Sequence, residues 1–314
     1  MAILKQTTAR IIQEFQDDCE IRGLAIETTR RYCSSLKTYV SFLKQQNVHI
    51  FDVTHSDIID FIKYLRETRN SKPATIAQFF AALNALYDFL VFNKQIPANF
   101  IPSIRKRYLK RFKVMDGNGR RRKVISPEDM GEFLYSIQNP RDKAMATLLV
   151  KTGIRRGELI SIDMKDINWG NQSIQLKNKR KRTNTTVFFD AECSRVLQRW
   201  LLIRSSMDID EKNDALFLGQ GGKRLGRNGV YYAIAKWAKV EGYYDTESDD
   251  NADHFSPHNL RHCFTTYLLE NGMRREYVQE LRGDVPAQAV DIYNHIPAES
   301  LREAYLASIP QFGL

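Results

Sequence analysis

"FSPHNLRHCFTTYLL" (residues 255–269) reads as a helix whose first turn is aimed at an anion. Ser256 is placed to cap it, Pro257 takes the first helical position, and His258 and Arg261 stand three apart in the opening turns. The positive end of the helix dipole favours negative charge there and lowers an imidazole pKa. His258 is therefore expected to be mostly neutral near pH 7 and able to take up a proton. His262 and Cys263 are expected to face the core or pack beside it.

Two further polar islands interrupt the surrounding helical pattern. In "TGIRRGELISI" (152–162), Gly153 can end the preceding helix in a left-handed cap. Arg155 and Glu158 then fall three apart, so that the carboxylate can orient the guanidinium for bidentate contact with a phosphate. Standing alone, this motif would be a surface ion pair. In "LRGDVPAQAVDIYNHI" (281–296), Tyr293 follows Asp284 by nine residues. Between the first two islands, "SIQLK" (173–177) and "TTVFF" (185–189) read as short strands around the basic turn "KNKRKRTNT". "SPED" (126–129) opens this half of the chain, with Ser126 as cap, Pro127 at the first helical position and acids in the first turn. Helices are expected at about 127–138 and 141–152, and again up to about 308.

The first hundred residues carry apolar side chains at helical spacing throughout, which predicts a small all-helical domain of four or five helices. Thr54 and Ser56 precede one helical segment and Ser71 another. Composition then changes abruptly. Between Ser103 and Val124 ten Lys and Arg residues face the single acid Asp116, in a chain of 314 residues whose formal net charge is +10. "MDGNGRRR" in the middle of that run is a polar turn, so the segment reads as a linker crossing a phosphate backbone, the alternative being a solvated basic loop. Such a balance points to a polyanionic partner, most commonly nucleic acid. The four cysteines are scattered with no CxxC pair, and no His cluster has metal-ligand spacing, so no metal or cofactor is expected. They read as reduced core thiols. No apolar run is expected to span a membrane, and a cytoplasmic, nucleoid-associated location follows. The acidic stretch "EGYYDTESDDNAD" (241–253) reads as a solvated loop.

Together these islands give the ordered set Arg155, a basic hairpin, His258 with Arg261, and Tyr293. That order resembles the tyrosine recombinases, or phage integrases, including the Xer and Cre enzymes. "TGIRRGEL" is similar to the family's TGLRxSEL box, "SPHNLRH" to its HxLRH box, and "DIYNHI" to its tyrosine box. The resemblance implies a mainly α protein with a small β-sheet: an all-helical core-binding domain (1–112), a basic linker (113–125) and an α+β catalytic domain with a C-terminal tail (126–314). It implies that Arg155 and Arg261 clamp the phosphate, that His258 transfers a proton, and that Tyr293 is the nucleophile. Glu158 matches the family's acidic position. The catalytic lysine would lie in the hairpin, where counting forward from Arg155 reaches Lys179, with Lys177 and Lys181 as alternatives. DNA contacts would come from Arg105, Lys106, Arg107, Lys110, Arg111, Arg120, Arg121, Arg122 and Lys123, and from Lys177, Arg180, Lys181 and Arg182 in the hairpin.

Asp284 departs from the pattern. The family usually has "LGH" where this chain has "RGD", and an ionised carboxylate beside a scissile phosphate would be repelled. Either Asp284 accepts hydrogen bonds from Arg155 or Arg261 and fixes that side chain, which is the expected arrangement, or it turns away to anchor the backbone. The function implied is site-specific recombination through a 3′-phosphotyrosyl intermediate, needing neither metal nor ATP, on a double-stranded DNA site. It would be carried out by a tetramer, and an accessory directionality protein could take part. The apolar stripe Leu301, Tyr305, Leu306 and Ile309 in the tail would dock on a neighbouring protomer or on its own domain. A non-catalytic DNA-binding protein and a type IB topoisomerase are the alternatives. A metal-dependent nuclease would need an acidic triad that does not accompany the islands.

Overall fold

The computed structural model describes residues 2–109, 123–177, 182–210, 213–248, 253–284 and 296–314, with side chains from residue 8 onward. Lys179 and Tyr293 lie outside the described residues, as do Lys110, Arg111, Arg120, Arg121, Arg122, Arg180 and Lys181. The chain divides into two compact units, Met1–Gly119 and Arg120–Leu314.

The first unit is helical: α1 (Ala2–Ile21), α2 (Ile26–Gln45), α3 (His55–Lys63), α4 (Pro73–Phe92) and α5 (Ile101–Ile104). Single π-helical turns, Tyr64–Thr68 and Arg105–Leu109, continue α3 and α5. Thr54 caps α3 reciprocally, its backbone N–H donating to the Asp57 carboxylate at 2.7 Å while its hydroxyl accepts from the Asp57 N–H. Ser71 caps nothing, contrary to expectation. The residue preceding α4 is Lys72, extended at φ −62° and ψ 150° with no side-chain cap, because Pro73 excludes helical geometry from its predecessor and sets the boundary itself.

The expectation about membrane-spanning length also needs correction. Helix α4, with a mean hydropathy of 1.4, is long and apolar enough to cross a membrane. Its apolar residues have another use, since Phe80, Leu83, Leu86 and Leu90 are buried against side chains of α1 to α3 such as Phe15, Tyr39, Leu43 and Phe61. A helix that is central to a bundle is apolar on most of its circumference. The Tyr39 and Tyr87 hydroxyls satisfy each other inside that core at 2.8 Å.

In the second unit, α6 (Pro127–Ser136) and α7 (Pro140–Thr152) precede a short helix α8 (Arg156–Leu159) and the antiparallel strands β1 (Ile167–Asn168), β2 (Ser173–Gln175) and β3 (Thr186–Phe188). Then come α9 (Ala191–Ser205), α10 (Arg227–Val240), α11 (Pro257–Glu270), α12 (Arg275–Arg282) and α13 (Ala298–Ser308). Strand β1 was not expected, since two residues are too few to show alternation. Ile174 of β2 lies opposite both Ile167 and Val187, which puts the three apolar side chains on one face. Helix α7 is the centre of this unit, buried from Ala144 to Thr152 and packed on α9 and α11. Ser126 caps α6 as expected, accepting from the Asp129 N–H at 3.0 Å. Cys19, Cys193 and Cys263 are buried free thiols, and Cys33 is half-buried.

The C-terminal tail docks on its own unit. Leu301, Tyr305 and Ile309 join Phe188, Phe264, Leu268 and Leu281 in a second apolar cluster, while Leu306 is exposed. Beyond α13, Glu192 accepts the Phe312 N–H at 3.0 Å and the Leu314 N–H at 2.7 Å, and Lys151 donates to the Pro310 carbonyl at 2.7 Å. A Cβ at Gly131 would lie 2.8 Å from the Phe312 carbonyl oxygen, so a glycine there lets the tail pass.

Candidate active site

Gly153 is the hinge that brings the first two islands together. It ends α7 in the left-handed region at φ +62°, and a Cβ would collide with the Phe264 ring of α11. Its carbonyl accepts a hydrogen bond from Arg261 Nη1. The turn therefore delivers Arg155 to the head of α8 beside the first turns of α11. There Asn259 Oδ1 accepts from both the backbone N–H and the hydroxyl of Ser256, at 3.0 and 2.9 Å. Asn259 Nδ2 donates to the Lys123 carbonyl at 3.1 Å, which ties the start of α11 to the segment preceding α6.

Glu158, 4 % exposed, holds Arg155 twice: one carboxylate oxygen accepts the Arg155 backbone N–H at 2.7 Å and the other accepts Nη1 at 3.2 Å. Arg155 Nη2 then donates to Asp284 Oδ1 at 2.7 Å, and Arg261 Nη2 donates to the same oxygen at 2.9 Å. Asp284 thus adopts the first of its two anticipated arrangements, accepting from both arginines. Arg282, which sequence reasoning passed over, stands 2.9 Å from the other Asp284 oxygen, and its carbonyl accepts from Arg261 Nη2 at 3.0 Å. Its position two residues before Asp284 was the only sign of it in the chain.

Among the described residues, four guanidinium groups (Arg155, Arg182, Arg261, Arg282) and two carboxylates (Glu158, Asp284) make up this cluster, an excess of positive charge concentrated at one place. Arg261 is nearly buried, and desolvation first, then repulsion from Arg155, lowers its pKa to about 10, against the opposing pull of Asp284. It still carries its charge near neutrality. Arg155 remains 40 % exposed, so one guanidinium of the pair is open to an incoming anion while the other is locked from behind. Such an arrangement presents Arg155, held by Glu158 and Asp284, to an oxyanion in a field of excess positive charge.

Arg182 requires a correction. It was expected among the DNA-contacting side chains of the hairpin, but its side chain is 1 % exposed. Its donors go to Glu158 Oε2 at 3.2 Å, the Arg282 carbonyl at 3.1 Å, the Leu281 carbonyl at 2.8 Å and the Asn184 carbonyl. Burial lowers its pKa, and Glu158 opposes that shift. A guanidinium with its donors turned inward has nothing to offer a phosphate outside.

Other expected residues are more exposed. His258 lies in the first turn of α11 on the surface, with the half-buried His262 ring edge-on at 4.7 Å, and Cys263 is buried as expected. Lys177 is 47 % exposed and donates to Asp163 at 2.7 Å. Burial alone would raise the Asp163 pKa, but hydrogen bonds from Lys177 and Arg224 outweigh it and hold the carboxyl below its ordinary value. Lys106, Arg107 and Lys123 are exposed and Arg105 is half-buried; Lys123 lies over the Tyr243 ring at 4.8 Å.

The sequence model of the phage integrase family matches residues 123–299, and that of the phage integrase N-terminal SAM-like domain matches residues 11–95. Tyrosine recombinase XerC of Vibrio cholerae serotype O1 is 26 % identical over 294 residues, covering 92 % of this chain and 89 % of that protein. Tyrosine recombinase XerD of Oceanobacillus iheyensis is 28 % identical over 298 residues, covering 92 % and 94 %. Among solved structures, the Tn1549 transposon integrase in complex with circular intermediate DNA is similar with a TM-score of 0.66 and 19 % identity, covering 93 % of this chain and 98 % of that one. The XerH site-specific recombinase bound to its difH substrate is similar with a TM-score of 0.61 and 20 % identity, covering 93 % and 83 %. Those two likenesses are of fold.

Proposed function

This chain belongs to the phage integrase family, and from that membership we propose that it is a site-specific DNA recombinase working through a covalent 3′-phosphotyrosyl intermediate. The observation that carries the reading is the meeting of Arg155 and Arg261 on a single carboxylate oxygen, which pairs two guanidinium groups from separate helices for one anion. A phosphodiester of double-stranded DNA is the anion this reading assigns to them. The basic run from Arg105 to Lys123, with Lys177, Arg180 and Lys181, would contact the flanking backbone.

In the cleavage step Tyr293 Oη attacks phosphorus, the P–O5′ bond breaks, and the phosphate stays on tyrosine at the new 3′ end. The tyrosine proton passes to His258, and the departing 5′ oxygen takes one from Lys179, or from Lys177 or Lys181 on the same turn. One phosphoester replaces another, so the bond energy is retained and the step needs no ATP. With Arg155 and Arg261 neutralising the non-bridging oxygens, a metal ion is not required for charge stabilisation. The 5′ hydroxyl of a second strand then attacks the phosphotyrosine, the P–Oη bond breaks, and Tyr293 regains its proton. Each active site cuts one strand, so exchange between two duplexes takes four protomers on the DNA. An accessory protein could set direction, and the setting would be the cytoplasmic nucleoid.

Incubating wild type and Tyr293→Phe with end-labelled DNA from the encoding locus, in EDTA, tests this. The expected result is a protein adduct on a 3′ end in the wild type alone. DNA binding with no adduct, even on nicked duplexes that trap the intermediate, would overturn the reading.

A further inference from the structure

Arg182 immediately follows the hairpin residues 178–181, in a run of basic side chains, yet it is turned into the protein. A buried guanidinium is costly unless its donors are matched, and here they are matched to a particular set of acceptors. Glu158 Oε2, which takes Arg182 Nη1, is also the oxygen that accepts the Arg155 backbone N–H. The Arg282 carbonyl, which takes Arg182 Nη1 as well, also accepts Arg261 Nη2. Arg182 thus shares one acceptor with each of the two arginines that meet on Asp284, and its Nη2 holds the neighbouring Leu281 carbonyl at the end of α12. The backbone leaves room for this: at Gly283, φ +58°, a Cβ would lie 2.5 Å from Arg182 Cγ and 2.9 Å from its Nε. Lysine could not make the same set of bonds, since it lacks the planar fork that reaches several acceptors at once.

We propose that Arg182 is a positioning residue for the phosphate clamp, a buried brace that sets Arg155 through Glu158 and Arg261 through the end of α12. The inference rests on the recombinase reading above. The brace acts on the arginines that hold the phosphate, and so it affects the rate with bound DNA more than the binding of DNA. Displacing a reacting group by about an ångström slows an enzyme by about 100-fold. The expected loss for Arg182→Met is therefore about 10- to 100-fold.

The test uses the full chain and a nicked duplex built around the cleavage position that the wild-type adduct defines. Two versions are compared, one with the ordinary scissile phosphate and one with sulfur in place of the 5′ bridging oxygen. In the second, the P–S bond breaks and a thiolate leaves, which needs no proton from the enzyme because thiols are far more acidic than alcohols. For Arg182→Met, the expected result is a slower adduct-forming rate at saturating DNA on both duplexes, with an unchanged half-saturating DNA concentration. Arg182→Lys, which keeps the charge in the buried site, is expected to fold and to fall between Arg182→Met and wild type. It carries the test alone if the methionine variant does not fold. A wild-type rate in the variants overturns the inference. So does a deficit confined to DNA affinity, which would make Arg182 a DNA contact, and so does one that disappears on the sulfur-bridged duplex, which would make it a support for the hairpin lysine. If the wild type itself gives no Tyr293-dependent adduct, the recombinase reading fails and the inference falls with it.

Discussion

Lys151 offers a quantitative test of how the tail is held. Its ammonium is fully buried in the last turn of α7, 2.6 Å from Asp190 and 2.5 Å from Glu192, whose side chains are 5 % and 1 % exposed. It also donates to the Pro310 carbonyl and lies 4.5 Å from the centre of the Phe312 ring. Lys151→Met fills the same space but leaves two buried carboxylates without a cation. Their remaining donors are the Cys193 N–H and Gln311 side chain on Asp190 and the Phe312 and Leu314 N–H groups on Glu192. Removing one partner of a buried ion pair costs about 3–5 kcal/mol. At about 2–4 °C per kcal/mol for a unit of this size, that is a fall of about 6–20 °C in Tm. The assay is intrinsic fluorescence, because Trp169, Trp200 and Trp237 are the chain's three tryptophans and all lie in the second unit. Lys151→Met with Asp190→Asn and Glu192→Gln, which removes all three charges and keeps an oxygen to cap α9, should recover most of the loss. A single variant melting within about 1 °C of wild type, or a triple variant as unstable as the single, would refute the reasoning.

Two further outcomes concern the chemistry. Asp284→Ala removes the shared acceptor of Arg155 and Arg261, and hydrogen bonds to charged groups are worth about 1.5–3 kcal/mol each. Cleavage of a nicked substrate should therefore fall by about tenfold or more, and an unchanged rate would show that the pair needs no internal anion. Because Lys177 is paired with Asp163, Lys177→Ala should retain cleavage, whereas Lys179→Ala should lose it and regain it on a duplex with a sulfur leaving group. Loss and rescue at Lys177 or Lys181 instead would reassign the proton donor.

Much of the helical framework was legible because the signals act within a turn or so of chain. Ser126 caps α6 and Thr54 caps α3 through residues three positions away, and Gly153 turns left-handed where only glycine does so without strain. Ser71 misled because the proline two residues later is the stronger determinant. Strand β1 was invisible because its two residues owe their conformation to the partner strand.

What the chain alone determined is the order of the candidate residues: Arg155 with Glu158, a basic run, His258 with Arg261, then Asp284 and Tyr293. The tertiary structure decided which charges face inward. In a run where Lys177, Lys179, Arg180, Lys181 and Arg182 look alike, only the acceptors that folding gathers, Glu158 and the carbonyls closing α12, distinguish the buried Arg182. It also decided that Asp284 ties two arginines together and that the tail lies on its own unit. Caps and turns depend on neighbours a few residues away, whereas the burial of Arg182 depends on Glu158, 24 residues away, and on the Arg282 carbonyl, 100 residues away, which no short stretch of sequence specifies.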